Sequence, residues 1–522
     1  MENKNKVNNV DRSLWKDMDW FSILVPLSVV ILLCIAFFVN PAGSTVVLQA
    51  MRHFVGDSCS VYFAAIGLGI FLFTMYIGLS RYGKIRFGKT EKPEYSDFRW
   101  GSLIFTSTMA ADILFYSLTE WSLYASEPYI MEQPGGIQKW ASTYPLFHWG
   151  PIAWGIYIAL AVAFGYLFHV RGTFKQKFSE ACRPLLGDRV DGIAGKAIDL
   201  IAIFSLIAGT ATTFSVTTPL LSSAVSRVFH VPDSVMLAIV ILIAIAIIYT
   251  LVLWFGMKAI SNLALICVML FFCLMGYVLF FGGETRYILE TGFSALGNLV
   301  QNFVGMATWL DPLRETSFPQ NWTVYYWAYW MVWCVATPFF IATISKGRTI
   351  RNMVFGGYFW GLAGTFTTFI ILGNYGLAQQ MRHGLNISGE IAATGKYAEA
   401  IIKIFDALPL PVLGLILLVV TMILFYATTF DSLAMVISYY SYRRLAVGQE
   451  PSKQIRVFWS IVFILFPIAL LYSENSLHSL QSVSIIAAFP IGIIILMICA
   501  SLVKALREDI KKEQKETEQH NI

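Results

Sequence analysis

The sequence predicts an all-α polytopic membrane protein with twelve transmembrane helices, and three observations carry that prediction. Hydrophobic residues make up 57% of the 522 and charged residues only 13%, a balance that soluble globular domains do not keep. Apolar windows of about 20 residues, the length that crosses a bilayer, recur twelve times. The 37 lysines and arginines divide unevenly: with the N-terminus placed inside, 28 fall on inside segments and 8 on outside loops. That asymmetry fits an even number of spans with both termini in the cytoplasm, and hence a multi-pass protein of the inner (cytoplasmic) membrane.

Residues 1–20 form a charged start without a small-residue cleavage site, so the first apolar run reads as a retained span. The windows lie near 21–40, 60–80, 100–125, 147–170, 197–224, 234–255, 259–282, 322–345, 352–377, 409–441, 455–473 and 482–503. The tetrapeptide ATTF occurs at Ala211–Phe214 in the fifth span and again at Ala427–Phe430 in the tenth. A repeat of five helices beginning at spans three and eight pairs these segments. It divides the chain into two leading helices (21–82) and two five-helix repeats (100–282 and 322–503). Transporters built from inverted repeats bring unwound helices together at a central site. Between the repeats, 287–310 places Leu289, Phe293, Leu296, Leu299, Val300 and Phe303 near helical spacing, as in an amphipathic helix lying on the outer surface. The tail 504–522 mixes both signs and is expected to be solvated and frayed. Seven cysteines lie mostly in apolar runs without ligand spacing, which implies core packing and neither a disulfide framework nor a metal site.

The eighth span, WTVYYWAYWMVWCVATPFFIATISKGR, carries the most specific pattern. Tyr326, Trp330, Trp333 and Thr337 follow at i, i+4, i+7 and i+11, one face of a continuous helix. Rings gathered around a cavity can hold a quaternary ammonium, which has no N–H to donate and is bound by cation–π contact and dispersion. The competing reading is an interfacial aromatic belt or plain helix packing. Pro338 within the same span removes a backbone donor, which membranes tolerate where a helix is buried in protein or lines a watery cavity.

Three further constellations stand out. Span four opens FHWGPIAWGIY, with Trp149, Trp154 and Tyr157 expected near one membrane face, as a belt or as a substrate gate. Span ten holds Phe425, Thr428 and Thr429 in LFYATTFDS, hydroxyls that either help coordinate Na⁺ or bond to the preceding turn. Span three contains Thr106, Met109 and Asp112 in FTSTMAADILFYSLTEW. A carboxylate at that depth requires a partner or a proton. Asp112 can pair with a substrate ammonium, coordinate a cation, carry a transported proton, or serve a structural role.

FHWG followed by Trp154 and Tyr157, together with FPQNWTVYYWAYWMVW leading to ISKGRT, resembles the betaine/choline/carnitine transporter (BCCT) family over nearly the whole chain. The resemblance implies two inverted five-helix repeats of the LeuT type after two leading helices. It also implies a homotrimer held partly by the surface helix, and alternating access for trimethylammonium compounds. Trp330 and Trp333 match the family's substrate-binding aromatics, and Tyr329 stands where many members have Trp. Trp149, Trp154 and Tyr157 match aromatics along the access path. Phe425, Thr428 and Thr429, with backbone near Thr106 and Met109, match a sodium site. Asp112 replaces a glycine of sodium-coupled members, while Thr337 and Cys267 stand where the sodium-independent carnitine exchanger has Met and Arg. A second sodium site is incomplete, with Leu206 and Ala336 at two of its positions and Thr210 kept. One Na⁺, or a proton on Asp112, therefore fits better than two Na⁺.

The resulting expectation is a secondary transporter importing a quaternary or methylated amine such as choline, glycine betaine or carnitine. Na⁺ or H⁺ would drive it, with no cofactor and no nucleic-acid partner. Asp112 tilts the choice towards choline, because an ionised carboxylate attracts a cation and repels a betaine's carboxylate. A precursor/product antiporter and a ligand-binding osmosensor are the alternatives. No nucleophile–base pair, metal cluster or phosphate loop suggests an enzyme.

Overall fold

A computed structural model describes residues 17–90, 92–107, 110–173, 175–255, 257–443, 445, 449–473 and 477–520. Among these residues the structure is helical, with two isolated β-bridges. Ten helices are long and apolar enough to cross a membrane, and two bent helix pairs raise the count to the expected twelve.

Two helices lead the chain, α1 (Trp20–Val39) and α2 (Ser60–Leu79). The first bent pair is α3 (Asp97–Ser107) and α4 (Ala111–Ala125), inclined by 65°. Next comes one span made of α5 (Gly136–His148) and α6 (Pro151–His169), interrupted at Trp149–Gly150, then α7 (Ile193–Phe229), α8 (Val235–Phe255) and α9 (Met257–Phe281). An outlying helix, α10 (Thr285–Thr308), links to the second bent pair. That pair is α11 (Val324–Trp333), preceded by the π-turn Pro319–Thr323, and α12 (Thr337–Thr343), with a 54° bend. The remainder is α13 (Ile350–Thr368) continuing through a π-turn into α14 (Asn374–His383), then α15 (Pro411–Tyr440), α16 (Lys453–Tyr472) and α17 (Leu477–His520). Each set of five spans thus opens with a broken helix. Because five is odd, the second set crosses the membrane in the opposite sense to the first.

The position of the second break corrects an expectation. Pro338 does not kink the middle of a continuous helix; it lies in the first turn of α12, after a break at Cys334–Ala336. In a first turn the missing N–H has no intrahelical partner to lose. Thr337 accordingly leaves the stripe of Tyr326, Trp330 and Trp333 and opens a new helix.

Both ends of the described chain lie on one face. The amide of Asp19 bonds to Ser441 O at 2.8 Å, the Phe178 amide to the Tyr440 hydroxyl at 3.2 Å, and Arg171 clamps Asp509 and Glu508 of α17. The tail differs from expectation: it continues α17 as helix to His520. The i,i+4 pairs Lys504–Glu508 and Lys512–Glu516 and the Arg171 clamp supply side-chain support that composition alone does not reveal. All seven cysteines are free, and Cys267 packs with its sulfur 3.9 Å from Thr421 O.

Candidate functional site

The helices on the inner sides of the two bent pairs, α4 and α11, meet at an aromatic cluster. Helix α4 is buried along its whole length except at Asp112, and every residue of α11 except Trp333 is buried. Trp330 sits at the centre. Its ring lies 4.6 Å from Tyr157, 5.5 Å from Trp149 and 5.8 Å from Trp154. Tyr329 extends the cluster, 6.3 Å from both Trp149 and Trp333. Trp149, Trp154 and Tyr157 are all buried within the protein, which disfavours a lipid-facing belt. Two glycines make room for indoles. A methyl group on Gly361 of α13 would stand 2.6 Å from Trp154, and one on Gly209 of α7 would stand 3.3 Å from Trp333. The indole N–H groups of Trp154, Trp330 and Trp333 are buried without an acceptor among the described residues. Three donors of this kind suit a small molecule that brings an oxygen.

Asp112 lies in the first turn of α4, where the helix N-terminus favours a negative charge by about 0.3–1 kcal/mol. Its Oδ2 accepts the Tyr329 hydroxyl at 2.8 Å and its Oδ1 accepts the Ile113 amide at 2.9 Å. Tyr329 Oη is also 2.5 Å from Thr213 Oγ1. A phenol has one proton; given to Asp112, it leaves Thr213 as donor to Tyr329. Tyr329 thus does more than offer a ring.

The expected ion-site residues are placed as follows. Thr428 of α15 bonds to Leu424 O at 3.1 Å and Phe425 O at 3.0 Å, and Thr106 of α3 to Ser102 O at 2.9 Å, each within its own helix. Phe425 is buried against Phe271 at 5.3 Å. Thr429 is partly buried, and Met109 lies outside the described residues. At the second set of positions, Leu206 and Ala336 are buried, and Thr210 bonds back to Leu206 O at 3.0 Å and Ile207 O at 2.8 Å. Exposure is graded: Thr106, Ser107, Asp112, Trp333, Thr337, Thr428 and Thr429 are partly exposed, whereas Ile113–Ala125, Trp149 and Tyr326, further from the face with the chain ends, are buried.

The sequence reading missed Glu120. This fully buried carboxylate accepts Trp149 Nε1 at 2.6 Å and the Tyr124 hydroxyl, and His148 Nδ1 stands 3.6 Å away. His148 also reaches Thr323 Oγ1 at 3.0 Å and stacks on Tyr326 at 4.8 Å. Glu120 fixes the tilt of a tryptophan in the cluster. The argument that flagged Asp112, a carboxylate in an apolar span, applies equally to the Glu of SLTEW.

Residues 22–511 match the profile of the betaine/carnitine/choline family transporters (BCCT). The chain belongs to that family. It is a transporter, not an enzyme. It is 28% identical to a carnitine transporter of Acinetobacter baumannii, over 91% of this chain and 88% of that one. A glycine betaine transporter of Bacillus subtilis is 30% identical, over 91% and 93% respectively. Among solved structures, a Na⁺-coupled sialic acid symporter in a substrate-bound outward-open state overlaps 81% of each chain, at a TM-score of 0.40 and 13% identity.

Proposed function

We propose that this BCCT transporter imports a quaternary or methylated amine across the inner membrane by ion-coupled alternating access, both termini facing the cytoplasm. Choline is the favoured substrate, ahead of glycine betaine, carnitine and related compounds. The observation that carries the reading is Asp112 joined through Tyr329 to a ring cluster centred on Trp330.

A desolvated ring face contributes about 2 kcal/mol to a bound cation. Two or three rings therefore fall short of the roughly 8 kcal/mol of a micromolar site, and charge matters. At 6–8 Å and an effective dielectric of 20, an ionised Asp112 attracts a cation by about 2–3 kcal/mol. A betaine's own carboxylate cancels most of that attraction. In this reading Trp330 and Trp333 hold the ammonium, with Trp149, Trp154 and Tyr157 completing the cage, and substrate oxygen accepts from an indole N–H. Tyr329 holds Asp112 in place. Coupling falls to one Na⁺ at Phe425, Thr428, Thr429 and Thr106 with nearby backbone, once the threonines turn from their own helices, or to a proton on Asp112.

Uptake of labelled choline, glycine betaine and carnitine into proteoliposomes, with Na⁺ and pH gradients imposed independently, tests this reading. Concentrative choline uptake under one of the two gradients is expected. Rapid counterflow with no gradient dependence would instead establish an exchanger.

A further inference from the structure

A further cavity lies at the C-terminal end of α2, remote from the aromatic cluster. It has a volume of about 650 Å³ and is lined by Tyr76, Arg81, Tyr82, Arg507, Lys511 and Gln514. Three of these residues are cations and none is acidic. Positive charge on this face is ordinarily a matter of topology, with lysines and arginines solvated separately. Here they converge. On α17, Arg507, Lys511 and Gln514 recur at i, i+4 and i+7, one face of the helix. The adjoining carboxylates turn elsewhere: Glu508 and Asp509 hold Arg171, and Glu516 faces Lys512. Among the described residues no carboxylate pairs with Arg81, Arg507 or Lys511.

The floor of the cavity is built. Tyr82 is buried, and the Arg81 guanidinium lies 5.4 Å from its ring centroid. Hydrogen bonding from Arg81, and then from Arg507, holds the Tyr82 phenol below its ordinary pKa against the opposing effect of burial. Arg81, Arg507 and Lys511 line one cavity beside this phenol, and cations gathered there without a carboxylate call for an anion. Guanidinium forks match phosphate oxygens in pairs. The membrane side of the cavity is apolar: Leu72, Tyr76 and Leu79 recur at i, i+4 and i+7 on α2 and are all exposed.

We propose that this cavity binds a phosphate-bearing anion and that its ligand in the membrane is the headgroup of an anionic phospholipid. The phosphate sits among Arg81, Arg507 and Lys511, and the acyl chains run along Leu72, Tyr76 and Leu79. Such a lipid bridges the end of α2 to the tail of α17.

Native mass spectrometry of the full-length protein, released from mixed phosphatidylglycerol and phosphatidylcholine nanodiscs, tests the assignment. The parent is expected to retain phosphatidylglycerol selectively, with about fivefold less retained for each of Arg81→Gln, Arg507→Gln and Lys511→Gln. Lys139→Gln, the same charge change on α5, should leave retention unaltered. The single variants keep the test readable if the triple variant fails to fold. Equal retention of the two lipids by the parent, or parent-like retention by all three variants, would overturn the proposal. A parallel arm measures thermal stability in detergent with inorganic pyrophosphate. Stabilisation by pyrophosphate without phosphatidylglycerol selectivity would overturn the lipid assignment in favour of a soluble phosphate.

Discussion

Tyr329 and its neighbours Trp330 and Trp333 differ in what their polar ends do. The indoles keep N–H groups without acceptors among the described residues, whereas the Tyr329 hydroxyl is committed to Asp112 and Thr213. Tyr329→Phe keeps the ring and removes the donor. A hydrogen bond to a charged group is worth about 1.5–3 kcal/mol, so choline KM is expected to rise roughly tenfold or more. If Tyr329 acted only through its ring face, the variant would match the parent. Asp112→Asn removes the charge and should cut the choline-over-betaine preference by tens of fold, as competition uptake would show; an unchanged ratio would make Asp112 structural. The sequence exposes Asp112 because a carboxylate in an apolar span needs an explanation, but its partner Tyr329 is 217 positions away and is found only by folding.

At the scale of elements, the loop that carries the chain into α11 is held by one carboxylate. Asp311 Oδ2 accepts the amides of Thr316 at 2.9 Å and Ser317 at 2.8 Å, and Oδ1 accepts that of Glu315 at 3.2 Å. Burial acts to raise its pKa, but these amide bonds prevail and hold it below the ordinary carboxylate value. Asp311, Arg314 and Ser317 all have positive φ, a conformation that costs side-chain-bearing residues energy and that the carboxylate offsets. A depressed folded pKa means that this stabilisation is complete above the unfolded value and is lost as pH falls through the folded one. Asp311→Ala should therefore lower thermal stability in detergent by about 2–4 kcal/mol at pH 7, with the gap to the parent closing in strong acid. A constant gap across pH would deny the charge its role. At the other end of the second bent pair, Arg348 is buried, lies 4.1 Å from the Trp100 ring centroid and meets Asp97 at 2.7 Å, tying the ISKGRT loop to the first turns of α3. Hydropathy shows the length of each span, but not where it breaks. Pro338 signals a disturbance in the eighth span, yet the helix gives way before it, so the stripe read from spacing holds only as far as Trp333.

For the whole molecule, composition and hydropathy suffice for the number of spans, since they express the bilayer's demand on any spanning chain. They do not reveal Glu120, the burial of the span-four aromatics against α11, or the convergence of Arg81 with Arg507, each of which depends on helices distant in sequence. The outlying helix α10 leaves Leu289, Phe293, Val300 and Val304 exposed while Ile288, Ala295 and Leu299 face the core. A trimer built on that outer row predicts that Phe293→Glu with Val300→Glu yields monomers by light scattering of the purified protein; an unchanged mass would place the interface elsewhere. The proposed alternating access asks the two bent pairs to move about the ring cluster, and the grading of exposure gives them a buried side and a partly open side from which to start.

The central claim is that rings contributed by α11, α6 and the α5–α6 break, with Asp112, hold a quaternary ammonium. Equilibrium binding of choline to the purified parent and to Trp330→Leu, followed by calorimetry, tests it most directly. Leucine keeps apolar bulk and removes the ring's quadrupole, so affinity should fall about thirtyfold, the equivalent of roughly 2 kcal/mol. Equal affinity in the two proteins would contradict the claim.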